Sequence, residues 1–131
     1  MKTLKQILLM SLVIVMGVTF TASAQKAKPW DVPAKFKTMK NAVKADVNAG
    51  KALYNKNCAS CHGKVGLGDG PKARGLETFP GDFSKGEFQG QTDGDLFYKT
   101  KFGRGEMPKY DGKVDDDGIW QLVNFMRTFK K

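Results

Sequence analysis

Apolar positions are spread unevenly along this chain. Near its end Leu122, Phe125, Met126 and Phe129 fall at i, i+3, i+4 and i+7, and Ile119 and Val123 widen the stripe. This spacing places them on one face of a helix. Asp115, Asp116 and Asp117 load the first turn with negative charge, while Arg127, Lys130 and Lys131 load the last, as the helix dipole favours. Gly50, Leu53, Tyr54 and Asn57 share a face in the same way, and Asp46 ahead of them can cap free backbone N–H groups. That first helix runs straight into Cys58. A further helix is expected from Asp93 to Lys101, with Thr92 and Asp95 as a capping box and Gly103 as its stop. Elsewhere the periodicity dissolves. Residues 63–91 hold eight Gly together with Pro71 and Pro80 and read as loop, with one helical turn over 71–76. Residues 103–114 also read as loop. No alternating strand pattern and no internal repeat competes, so the expected fold class is all-α.

The first twenty-four residues stand apart from this pattern. Lys2 and Lys5 precede an apolar run from Ile7 to Val18, and Ala22-Ser23-Ala24 closes it before Gln25. This is the three-part layout of a secretory signal peptide, expected over 1–24. The competing reading is an uncleaved anchor, but the run falls short of the roughly 20 residues that span a bilayer as a helix. No Cys stands at the cleavage position, so a lipid-anchored start is not available. Residues 25–44 follow as a Lys-rich arm. Lys26, Lys28, Lys35, Lys37, Lys40 and Lys44 stand there against the single acid Asp31. With Pro29 and Pro33 and no clear period the arm reads as extended, with Trp30, Phe36 and Met39 available to pin it to the domain over 45–131.

Length and charge narrow the function. The chain has 131 residues and a formal charge of +9, which fits one small domain and excludes a large multidomain enzyme. A domain of this size buries a modest core and benefits from a covalent or metal staple. Two Cys and one His cannot build a multi-bridge disulfide framework or a four-ligand Cys/His zinc site.

All three of those residues sit in one string, Cys58-Ala59-Ser60-Cys61-His62. Two thiols spaced by two residues at a helix end can both reach the vinyl groups on one haem edge. The next residue then stands under the iron, where a neutral imidazole is a good axial ligand. The string is the attachment pattern for haem c. A redox-active dithiol would need a sheet that the pattern lacks, and neither it nor a plain disulfide explains why the sole His follows at once. Opposite the His, such iron takes a Met, a second His or an open site; no second His exists here, so the Met residues are the candidates. Met126 lies on the packing stripe of the last helix, and Met39 reaches the pocket only if the arm folds over it. Met107 lies in Gly103-Arg104-Gly105-Glu106-Met107-Pro108, 45 residues beyond His62, in a Gly-rich loop that can approach a flat ring. We take His62 and Met107 as the expected metal ligands.

These residues resemble the class I, monohaem bacterial cytochrome c family over roughly 46–131. The resemblance rests on the motif at 58–62, the loop from Gly63 to Leu76, the Met107-Pro108 loop and the final helix. It implies a small helical domain wrapped around one haem, attached through Cys58 and Cys61. It implies that Gly50 of the first helix meets Phe125 of the last, and that the carbonyl of Pro71, in Gly70-Pro71, accepts a hydrogen bond from His62. Asp69-Gly70-Pro71-Lys72-Ala73 and Gly81-Asp82-Phe83 are similar to a subgroup related to haem domains of bacterial terminal oxidase subunits.

The function implied is electron transfer rather than catalysis, because two protein ligands leave the iron no open site. The basic surface would steer the protein to acidic redox partners, with Lys64, Lys72, Lys99, Lys101 and Lys109 near the expected haem rim. Lys101 or Arg104 is available to neutralise a haem propionate. The expected setting is the periplasm, as a monomer with no nucleic-acid partner. Alternatives are a haem-bearing docking subunit of a larger oxidoreductase, such as a respiratory complex, and a peroxidase or sensor with a labile Met107.

Overall fold

Six α-helices account for the regular structure in the computed structural model, which describes residues 28–131. The leader expected over 1–24 lies outside the described residues. The helices are α1 (Ala34–Lys37), α2 (Val47–Asn57), α3 (Ala59–His62), α4 (Gly86–Gln89), α5 (Asp93–Phe102) and α6 (Asp116–Arg127), with a 3₁₀ turn at Ala73–Gly75. No strand forms among the described residues, and the only pairing of that kind is the isolated bridge between Arg104 and Met107.

The long helices begin where their sequences can satisfy the first free N–H groups. The Asp46 carboxylate accepts from the N–H groups of Asn48 and Ala49, both at 3.0 Å. Thr92 and Asp95 form the reciprocal capping box of α5. Asp115 caps α6 by accepting from Gly118 N–H at 2.8 Å. The 3₁₀ turn falls within the helical turn expected over 71–76, whereas the single turn of α4 has no periodic signal in the sequence.

The core is built where α2 crosses α6. Tyr54, Ile119, Leu122 and Val123 are fully buried, and Phe125 and Met126 close around them. Gly50 makes the crossing possible. A Cβ there would strike the Gln121 carbonyl oxygen and stand 2.8 Å from the Phe125 Cβ, so only a glycine lets the two backbones approach. Phe97 of α5 stacks on Trp120 of α6 with ring centroids 4.3 Å apart. Arg127 ties the end of α6 to the start of α5. Its guanidinium donates to Asp93 at 2.7 and 2.9 Å and to the carbonyls of Gln89 and Gln91.

The Lys-rich arm is more ordered than an extended strap. It makes a helical turn at α1, buries Val32 and lays Phe36 against Tyr98 (4.8 Å) and Phe102 (5.6 Å) of α5. Two carboxamides finish the attachment. Asn41 donates to Asn124 at 2.8 Å, and Gln121 donates to the Lys44 carbonyl at 2.8 Å. Aromatic packing on α5 supplied the tertiary contacts that local periodicity could not reveal.

Candidate functional site

Helix α2 hands the chain to the motif without a break. Cys58 N–H donates to the Tyr54 carbonyl at 2.8 Å, and Cys61 and His62 then donate back to the Cys58 carbonyl at 3.1 and 2.9 Å. Cys58, at the junction of α2 and α3, is thereby tied to Cys61 and His62 on α3 as one unit. Tyr54 locks its exit, donating its hydroxyl to the Gly63 carbonyl at 2.8 Å. Burial pushes the Tyr54 phenol well above its ordinary range, so it stays a neutral donor.

A cavity of about 1330 Å³ opens beside this unit. Its wall takes Cys58, Cys61 and His62 from the motif, Phe79 to Phe83 from the long loop, and Leu96, Lys99 and Thr100 from α5. Arg104, Glu106, Met107 and Pro108 supply the second loop, and Trp30 arrives from the arm. Four of the expected site residues, Cys58, Cys61, His62 and Met107, thus share one wall, and Arg104 joins them.

The chemistry of that wall fits an iron porphyrin. Cys58 and Cys61 are free thiols, partly buried and directed to the same cavity. Burial, reinforced by the neighbouring Cys61, pushes the Cys58 thiol up to about 12. Burial also lowers the His62 imidazole below its ordinary range, which favours the neutral ring that a metal ligand requires. The His62 Nδ1 atom is buried and makes no hydrogen bond in this arrangement. A buried, unsatisfied ring nitrogen is uncommon and calls for a functional reason. Among the described residues no three His, Cys, Asp or Glu side chains converge to hold a bare metal ion. A cofactor that brings its own equatorial ligands would need from this chain one imidazole, one thioether and two thiols.

The Met107 loop is formed by local geometry. Arg104 N–H donates to the Met107 carbonyl at 2.9 Å, and Met107 N–H donates to the Arg104 carbonyl at 3.0 Å. Gly103 turns the chain out of α5 with φ of +59°, and a Cβ there would stand 2.5 Å from the Met107 carbonyl oxygen. A side chain at this position would be both strained and crowded. The Glu106 carboxylate accepts from Glu77 N–H at 2.9 Å and from Thr78 N–H at 3.3 Å, joining the two loops that border the cavity.

Several expected partners are placed differently. Pro71 is exposed and makes no hydrogen bond with His62. The reason is the path of the loop. Phe83 N–H donates to the Gly66 carbonyl at 2.6 Å, which folds residues 80–83 back onto the motif and sets the Phe83 ring 4.6 Å from the His62 ring. Lys101 does not line the cavity. Asp116 at 2.5 Å and Asp111 at 3.7 Å hold it instead. Lys64 and Lys109 are exposed away from the cavity wall, whereas Lys72 and Lys99 line it. The Arg104 guanidinium is engaged by the arm, lying 4.2 Å from the Trp30 ring centroid and donating to the Pro29 carbonyl at 3.0 Å. Met39 packs beside Gly94, and Met126 sits in the core and touches the cavity from that side.

Sequence reasoning missed Trp30, Phe83, Glu106 and Pro80 as wall residues. The Gly-rich loops carry no periodicity from which such contacts could be inferred. Only the pairing of aromatics with an otherwise polar loop, as in Phe79-Pro80 and Asp82-Phe83, marked this stretch as one that packs against something.

The chain is similar to several known proteins. The family model described as cytochrome c oxidase, cbb3-type, subunit III matches residues 45–126. Cytochrome c6 of Chlorolobion braunii is 33% identical over 75 residues, covering 57% of this chain and 81% of that protein. Cytochrome c-551 of Halorhodospira halochloris is 32% identical over 81 residues, covering 59% of this chain and 92% of that protein. Among solved structures, a chain of the Kuenenia stuttgartiensis reducing HAO-like protein complex superposes with a TM-score of 0.61 at 27% identity, over 71% of this chain. The present chain spans only 50% of that neighbour's length. The c-type cytochrome KustC0563 superposes with a TM-score of 0.56 at 28% identity, covering 63% of this chain and 98% of its own.

Proposed function

Because this chain belongs to the cytochrome c family, we propose that it carries one covalently attached haem c and passes single electrons between redox proteins of the cell envelope. The observation that carries the reading is the shared cavity wall of Cys58, Cys61, His62 and Met107. When bound, the haem supplies a one-electron change at iron.

The chain's own residues do the rest. Cys58 and Cys61 each give a thioether bond to one edge of the porphyrin. His62 binds the iron through its imidazole, and Met107 binds from the second loop through its sulfur. A thioether ligand from Met107 would favour the reduced state, so the potential is expected to be comparatively high. Phe83, Leu96 and Met126 keep water from the ring, which lowers the solvent rearrangement that each electron transfer requires. With His62 and Met107 both holding the iron, oxygen and peroxide would find no open site. The net positive chain, including Lys72 and Lys99 at the cavity, steers the protein toward acidic surfaces of its partners.

The leader pattern at 1–24 supports export to the periplasm. No helix of the described residues is long and apolar enough to cross a membrane. A second reading, a haem-bearing docking subunit of a larger oxidoreductase, draws support from the oxidase-subunit family model and from the neighbour found within a protein complex. Size-exclusion of native envelope extract separates the two. A haem-containing peak at the mass of the mature chain supports the free carrier, and exclusive elution within a large assembly contradicts it. Carbon monoxide added to the reduced protein tests the closed coordination. An unchanged spectrum is expected, and rapid binding would favour the sensor or peroxidase reading.

A further inference from the structure

The arm ahead of residue 45 lies outside the region matched by the family model, yet it reaches the wall of the cavity. Its anchor is on α5, the helix that ends at Gly103 and launches the Met107 loop. Val32 is buried, and Phe36 packs against Tyr98 and Phe102 while its carbonyl lies directly against Gly94. This fixes the position of Pro29 and Trp30 just upstream. The Trp30 ring then takes two cations, the Arg104 guanidinium at 4.2 Å and the Lys99 ammonium at 5.6 Å.

Arg104 joins this clamp to the loop. Its side chain is held by the Trp30 face and by the Pro29 carbonyl. Its backbone exchanges two hydrogen bonds with Met107. Displacing the guanidinium therefore loosens the pair of bonds that shapes the loop around the Met107 sulfur. The same loop has a second tether, Glu106 to the backbone of Glu77 and Thr78, which lies wholly within the family region.

We propose that the arm is a clamp on the sixth ligand: Trp30 and Arg104 are positioning residues that hold Met107 in the cavity wall and oppose its displacement from iron. This rests on Met107 being the iron ligand. The clamp acts through the cation–π contact and one carbonyl bond, together sufficient for about a tenfold change in the ligand equilibrium.

Imidazole titration of the oxidised, full-length holoprotein tests it, because imidazole competes with the thioether for iron and bleaches the thioether-to-iron absorption band. Trp30→Ala is expected to lower the imidazole midpoint about tenfold. Trp30→Phe keeps a π face and should fall between the two. Arg104→Lys keeps the charge but loses the planar stacking face, and it provides the same test should Trp30→Ala fail to fold. Thermal unfolding is recorded beside each titration. A Trp30→Ala protein that melts earlier but keeps the wild-type midpoint would reduce the arm to packing and overturn the clamp. A wild-type protein whose haem lacks the band, with no further change in Met107→Ala, would overturn the ligand assignment as well. A band present in the wild type but equally resistant in the Trp30 and Arg104 variants would overturn the clamp alone.

Discussion

The α2–α6 crossing and the loop wall around the cavity solve the same problem of burial by opposite means. At the crossing, apolar side chains from two helices meet one another, and Ile119, Leu122 and Val123 are buried there without any polar partner. Around the cavity, residues 76–83 and 104–108 form a wall built from loops. Glycine turns, single hydrogen bonds and the Glu106 tether hold that wall. The helical half is stabilised by its own packing, and on the proposed function the loop half is expected to draw its stability from the group it encloses.

Removing the attachment should break this contrast most severely. In the Cys58→Ala/Cys61→Ala protein we expect loss of amide protection first over 63–85 and 103–110, together with a poorly ordered fold and reduced helix content by circular dichroism. Full protection of both halves without haem would show that the loops are self-supporting. The converse experiment attacks the crossing. Gly50→Val would drive a side chain into the Gln121 carbonyl and the Phe125 side chain, at a cost of about 3 kcal/mol or more. Denaturant unfolding reads it, and a loss below about 1 kcal/mol would mean that the helices can separate cheaply.

The legibility of the sequence divides along the same line. The stripe from Ile119 to Phe129, the Asp46 and Asp115 caps and the Thr92–Asp95 box are local patterns, and each appears in the structure where its spacing places it. The motif at 58–62 was legible because its chemistry is contiguous in the chain. The wall was not. Phe83 packs beside His62 where Pro71 was expected, and Asp116 captured Lys101, because both outcomes depend on where a glycine-rich loop returns. The arm concealed its contacts for a related reason: one turn at α1 has too few residues to show a period, and its partners lie more than fifty residues away.

Smaller changes sharpen the comparison. Gly103→Ala forces a side chain onto a backbone with φ of +59° and against the Met107 carbonyl, costing about 1–3 kcal/mol. The loss should appear as weakening of the thioether-to-iron band before any drop in helix content. Simultaneous loss of both would place the turn in the core rather than in the wall. Lys101→Ala is expected to cost only about 0.5 kcal/mol, since its Asp partners are largely exposed. The hydrogen bond to Asp116 raises the Lys101 pKa, so this stabilisation is fully present below its ordinary value of 10.5 and is lost as pH climbs through the raised one. The wild-type advantage over Lys101→Ala should shrink in strongly alkaline solution, and an advantage that grows there would reverse the assigned sign.

The proposed covalent haem is open to one direct measurement, the alkaline pyridine assay on mature protein that has been denatured and washed free of loose porphyrin after expression with a haem-ligation system. One haem c per polypeptide, absent from Cys58→Ala/Cys61→Ala, is the expected result. A colourless polypeptide with two titratable thiols would contradict it.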